Sequence, residues 1–206
     1  MDQFFLAITV LFHPVDTFRM IQMDRRRFHY LPPVVLLLLA FAARMFYLYQ
    51  VHFPLTELDV WNTTLWIEAV KFLLPIVTWI VALSAITAVM GGQSLFREIL
   101  MATSLAFVPY TLVSVAAALL SHVMSRSELF FFNMILVVMW AWVVVLIIAG
   151  IYTMNDYSAR KTLVVILMSV VAVFLIWLIV ILVYSLINQI VDFIAGIVQE
   201  VRMKTR

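Results

Sequence analysis

The sequence predicts an all-α membrane protein: a polytopic helical bundle of five transmembrane helices, with interfacial amphipathic helices at the N- and C-terminal ends. Three observations carry that prediction. Hydrophobic residues make up 66% of the 206 residues and charged residues only 12%, far from the soluble globular range. The mean hydropathy of +1.13 comes from unbroken apolar runs, whereas barrel strands alternate. The basic residues lie mostly between those runs, and the net charge of +2 is too small to indicate a nucleic-acid partner. With no cysteine in the chain, disulfides and thiolate metal sites are excluded.

The first apolar run, residues 4–12, falls short of the roughly 20 residues a spanning helix needs. No basic residue precedes it and no small-residue cleavage site follows, so it does not fit a signal peptide. His13-Pro14 interrupts the run, and Pro14 suits the first turn of a new helix. Beyond it Val15, Phe18 and Ile21 share one face while Asp16, Arg19 and Gln22 point elsewhere. Residues 1–28 are therefore expected to form helices lying in the interface, the second anchored by Arg25, Arg26 and Arg27. Phe18 is assigned to a partner-facing surface, and residues 1–30 form the N-terminal segment.

Five spans are expected at residues 31–49, 65–90, 99–120, 130–151 and 163–187, each long enough for a hydrocarbon core of ~30 Å. Tyr47, Tyr49, Trp61, Trp66, Tyr152 and Tyr157 fall near their ends as interface anchors. Trp79, Trp140 and Trp177 lie deeper, as packing or lipid contacts. Between the second and third spans stands Gly91-Gly92-Gln93-Ser94-Leu95-Phe96-Arg97-Glu98. Paired glycines end a helix cheaply. Ser94 is expected to cap the next helix, with Glu98 in its first turns and Arg97 as the junction's basic residue. Pro75 and Pro109 each remove a backbone hydrogen bond and can kink a span.

Lysine and arginine set the expected orientation. With the N-terminus in the cytoplasm, Arg19, Arg25, Arg26, Arg27, Arg97, Arg160 and Lys161 fall inside, against Arg126 and the tail residues Arg202, Lys204 and Arg206 outside. The first loop, 50–64, carries Glu57 and Asp59 and no basic residue, which also favours a cytoplasmic N-terminus. An odd number of crossings of the plasma membrane then leaves the C-terminus extracytoplasmic. In the tail, 188–206, Ile190, Val191, Ile194, Ile197, Val198 and Val201 recur at helical spacing beside Asn188, Gln189, Asp192, Gln199 and Glu200. The fifth helix either continues out of the bilayer as an amphipathic stalk or bends onto its outer surface. Its apolar face, with Ile190, Ile194 and Ile197, either folds on this bundle or docks a partner.

Charge inside the spans is the first functional signal in such a chain. Arg44 falls about two-thirds of the way across the first span, and Glu68 and Lys71 share a face near the outer end of the second. Arg44, Glu68 and Lys71 are thus a candidate polar membrane site, for a solute or ion near the outer leaflet. The competing reading has Arg44 snorkel outward and clamp two helices together. Catalysis finds less support. Gly92-Gln93-Ser94 has the glycine-x-serine pattern of an intramembrane serine nucleophile, but His122 lies about 30 Å away across the membrane. His13, His29, His52 and His122 have no ligand spacing, and no phosphate or dinucleotide loop is present, so neither metal nor cofactor is implied. Asn62-Thr63-Thr64 matches a glycosylation acceptor, but its place at the membrane edge suits a helix cap better.

His13-Pro14 with Phe18, the Gly91 to Arg97 junction with Pro109, Tyr157-Ser158-Ala159-Arg160-Lys161-Thr162, and Ser185-Leu186-Ile187-Asn188-Gln189 together resemble the Yip domain family of Ypt-interacting membrane proteins. The likeness is to its short bacterial form. It implies five spans with a cytoplasmic N-terminus. Eukaryotic relatives engage membrane-anchored GTPases through a long N-terminal region, and the short one here does not carry that role over. Bacterial members similar in length and tail accompany ABC-type carbohydrate importers. The expected function is therefore a non-enzymatic accessory protein, in contact with the lipid bilayer and a transporter permease. The alternative is a small channel or carrier built on Arg44, Glu68 and Lys71.

Overall fold

The computed structural model describes residues 5–23, 29–51 and 64–204. Among them the chain is helical: α1 (Phe5–Phe12), α2 (Pro14–Met23), α3 (Leu31–Gln50), α4 (Leu65–Val89), α5 (Phe96–Ala106), α6 (Val108–Leu120), α7 (Leu129–Met154) and α8 (Ala159–Lys204), with a 3-10 turn at Arg126–Glu128 before α7. Five stretches are long and apolar enough to cross a membrane: Leu31–Gln50, Leu65–Val89, Phe96–Leu120, Arg126–Met154 and Ala159–Ile194. The protein is an all-α, multi-pass membrane bundle.

The third span is the broken pair α5–α6. Pro109 has no N–H to offer the Leu105 carbonyl and its ring crowds that turn. Helical bonding therefore stops at Phe107, whose N–H is shared between the Thr103 and Ser104 carbonyls at 3.3 and 3.2 Å. This pair is the centre of the bundle, 61% of its apolar window being buried against 11% for α8. Pro75, by contrast, is absorbed within a continuous α4.

Two larger cores, with a small third one (Val51, Ala117, Ala118, Phe132), hold the helices among the described residues. One joins α3, α4, α6, α7 and α8 through Leu37, Ile76, Ile80, Tyr110, Val143 and Val165. The other joins α1 and α2 to the bundle, with Leu6, Val10, Phe18 and Ile21 against Met101, Leu105, Leu146 and Met154. Here the sequence expectation is corrected. Phe18 does not face a partner: it is fully buried, its ring packed beside Gly150 of α7. Phe18 and Ile21 of that apolar side are consumed by the bundle itself, because α2 packs on α7, while Val15 stays 43% exposed. The anchor triplet Arg25-Arg26-Arg27 and the Asn62-Thr63 acceptor lie outside the described residues.

The fifth helix continues past residue 187, the expected end of its span, as one unbroken helix. α8 runs without a break for 46 residues, about 69 Å at 1.5 Å per residue, over twice a ~30 Å core. It packs on α4 and α7 and leaves most of its surface open. Ile190 and Ile194 are 51% and 55% exposed; the side chains of Ile197 and of the tail bases lie outside the described residues.

Candidate functional site

The three charges singled out from the sequence do meet. Arg44 is on the last two turns of α3 and Glu68 in the first turn of α4, where the two helices flank the 51–64 connection. Arg44 Nη2 lies 3.5 Å from Glu68 Oε2, and Lys71 Nζ lies 3.0 Å from Glu68 Oε1. The Glu68 side chain is 8% exposed, those of Arg44 and Lys71 34% and 66%. A buried carboxylate is expensive unless paired, and here two partly wet cations share one, leaving a surplus of one positive charge.

Behind the charges lies a cavity of about 570 Å³. Its wall is almost wholly apolar, formed by Phe72, Ile76 and Trp79 of α4, Tyr110 of α6, Trp140 of α7 and Phe174 of α8 among others. Four rings form its frame: Tyr110 stands 5.4 Å from Phe72, 5.9 Å from Phe107 and 5.3 Å from Trp140, centroid to centroid. Both prolines shape this space. The break before Pro109 turns Phe107 toward the rings, and Pro75, itself in the wall, leaves the Lys71 carbonyl without its helical partner. Trp140 is expected from the sequence only as a packing or lipid contact; rings dispersed over three spans give no local sequence signal.

A second polar cluster ties the helix junctions together at the opposite end of the bundle. Gly91 has φ +66° and Gly92 has no room for a side chain. A Cβ there would meet the Tyr157 hydroxyl, Asn155 Oδ1 at 2.6 Å and the Thr87 carbonyl at 2.9 Å. Ser94 is not the helix cap. Its N–H and hydroxyl both donate to Asn155 Oδ1, at 3.1 and 2.8 Å, so the serine is spent on a contact between helices. Leu95 takes the cap position, its N–H donating to Glu98 Oε2 at 3.0 Å, and Arg97 follows in the first turn. Gln22 of α2 donates to Asp156 Oδ2 at 2.6 Å. Burial pushes the Tyr157 phenol above its ordinary value, and Lys161 Nζ lies 4.2 Å from the centre of its ring.

Ser94 is thus committed to Asn155, and no group of three His, Asp or Glu side chains that could hold a metal occurs among the described residues. Asn155 and Gln22 were missed as site residues because their partners are distant in sequence. The two arrangements divide the labour: a junction that fixes helix order at one end, and a charged mouth over an apolar cavity at the other.

A family model for the Yip1 domain matches residues 8–182. No curated protein and no solved structure matches the chain.

Proposed function

The chain belongs to the Yip1 domain family, and from that premise we propose that it is a non-enzymatic accessory protein that docks another integral membrane protein through α8. The observation that carries this reading is the imbalance of α8. It is the longest helix among the described residues, packs mainly on α4 and to a smaller extent on α7, and leaves Leu186, Ile187, Ile190, Val191 and Ile194 half exposed or more. Lipid satisfies such a surface inside the hydrocarbon, but a helix of about 69 Å carries apolar residues beyond it, where a protein partner gains from burying them. The partner we place first is the permease of an ABC-type carbohydrate importer, to which the resemblance in length and tail points. The membrane is the plasma membrane, with the N-terminus cytoplasmic and the end of α8 outside, in keeping with the basic-residue count.

Extraction in mild detergent followed by mass spectrometry tests this. A permease recovered in fixed ratio supports the proposal, and recovery of the chain with no companion contradicts it.

A second reading, a small carrier, draws on the meeting of Arg44, Glu68 and Lys71 at a cavity mouth. Purified protein in liposomes would then move a solute, and Arg44→Ala would abolish the flux. An apolar wall offers a hydrophilic solute no polar partners beyond that mouth, so the accessory reading stands first.

A further inference from the structure

We propose that the cavity framed by α3, α4, α6, α7 and α8 holds one acyl chain of a membrane lipid whose anionic headgroup rests on Arg44 and Lys71. The proposal does not rest on the docking reading, since Val170, Val173 and Phe174 in the cavity wall are two turns or more from the exposed end of α8.

Shape is the first argument. At about 570 Å³ the space lies within the ~300–1,000 Å³ of ordinary ligand pockets. It is also elongated: Glu68 at its mouth and Trp79 in its wall are both on α4, separated by about 16 Å of helix at 1.5 Å per residue. That depth accepts the greater part of one acyl chain.

Polarity runs the same way. All the charged residues of the lining, Arg44, Glu68 and Lys71, stand at the end near the 51–64 connection, the level of lipid headgroups for spans that start and stop there. Inward from them the wall is aromatic and aliphatic, with Phe72, Ile76, Phe107, Tyr110 and Trp140. A water-soluble anion would leave the deep part unfilled, and an uncharged hydrocarbon would leave the surplus positive charge unanswered. An amphiphile satisfies both ends.

Charge selects the headgroup. Glu68 neutralises one of its two cations, and the surplus is positive. A guanidinium has five N–H donors, more than one carboxylate oxygen can use. Lys71 is two-thirds exposed and three donors rotate on its ammonium, so it can serve a phosphate while staying beside Glu68. A zwitterionic headgroup gains less from this surplus than an anionic one.

The test uses the full chain purified in detergent, offered phosphatidylglycerol or phosphatidylcholine with identical acyl chains, and read by native mass spectrometry. Phosphatidylglycerol should be retained several-fold more, and Lys71→Gln, which leaves Arg44 on Glu68, should lower its retention roughly fivefold, the effect of one basic residue near a lipid surface. Val173→Trp, which fills the cavity from α8, should lower retention of both lipids while the variant keeps its thermal unfolding transition. Equal retention of the two lipids, unchanged selectivity in Lys71→Gln, or unchanged retention in Val173→Trp overturns the proposal. So does displacement of bound lipid by glycerol phosphate, a headgroup without a tail, as effectively as by phosphatidylglycerol.

Discussion

Arg44 and Glu68 sit on neighbouring helices with their charged atoms 3.5 Å apart, and the carboxylate is the more buried partner. That asymmetry makes the pair a condition of the fold as much as a feature of the site. The carboxylate must be answered, whereas the arginine keeps a third of its surface open.

Arg44→Ala is expected to destabilise the bundle by about 1–2 kcal/mol, below the ~3–5 kcal/mol of a fully buried pair, because Lys71 remains on Glu68 and Arg44 is partly solvated. The double variant Arg44→Ala with Glu68→Gln should unfold closer to the parent than Arg44→Ala does, since the buried carboxylate left with a single cation is gone. Thermal unfolding in detergent measures both. A double variant whose loss equals the sum of the losses in Arg44→Ala and Glu68→Gln alone would show the two residues act independently.

Gly92→Ala should be the most damaging change at the α4–α5 junction. Its Cβ would press on the Tyr157 hydroxyl, on Asn155 and on the Thr87 backbone, and overpacking of that kind costs ~1–3 kcal/mol or more. Gly91→Ala meets open space and is opposed only by its positive φ, at roughly 1 kcal/mol. Removing the hydroxyl with Tyr157→Phe should recover part of the loss in Gly92→Ala and none in Gly91→Ala, as read by thermal unfolding.

Asn155→Ala removes the shared acceptor of two Ser94 donors, one of them a backbone N–H, and should cost about 1–3 kcal/mol, the penalty for leaving a buried polar group unanswered. Ser94→Ala gives up only the hydroxyl bond, and should cost about 0.5–1.5 kcal/mol. Hydrogen exchange at the start of α5 should rise more in the first variant than in the second; the reverse order would mean that Ser94 has another partner of greater consequence.

Phe18→Ala empties a fully buried site between α2, α5 and α7 and is expected to cost ~3–5 kcal/mol. Ile190→Ala, on the exposed part of α8, should leave the unfolding temperature of the isolated protein where it was. Equal effects at the two positions would mean that α8 folds back onto the bundle.

These contrasts also mark what could be read from the sequence. The five spans were legible because a run of apolar residues is a local property, and Arg44 with Glu68 and Lys71 could be paired because helical rise places them at one depth. The inward turn of Phe18 was not legible: an amphipathic helix shows the same stripe whether it covers lipid, a partner or its own bundle. Ser94 illustrates a second limit. A serine before a helix is a good cap in isolation, but Asn155, sixty-one residues on, offers its side chain a bond that the local pattern cannot reveal. The ring frame of the cavity is of the same kind, since Phe72, Phe107, Tyr110 and Trp140 meet only after α4, the α5–α6 break and α7 have packed.

The docking role of α8 is tested most directly by a photo-crosslinking residue placed at Ile190 or Ile194 in intact membranes, with one at Phe18 as the buried control. Capture of a transporter permease from both α8 positions, and of nothing but the chain itself from Phe18, is the expected result. Silence from α8, or products containing only further copies of this chain, would contradict the account.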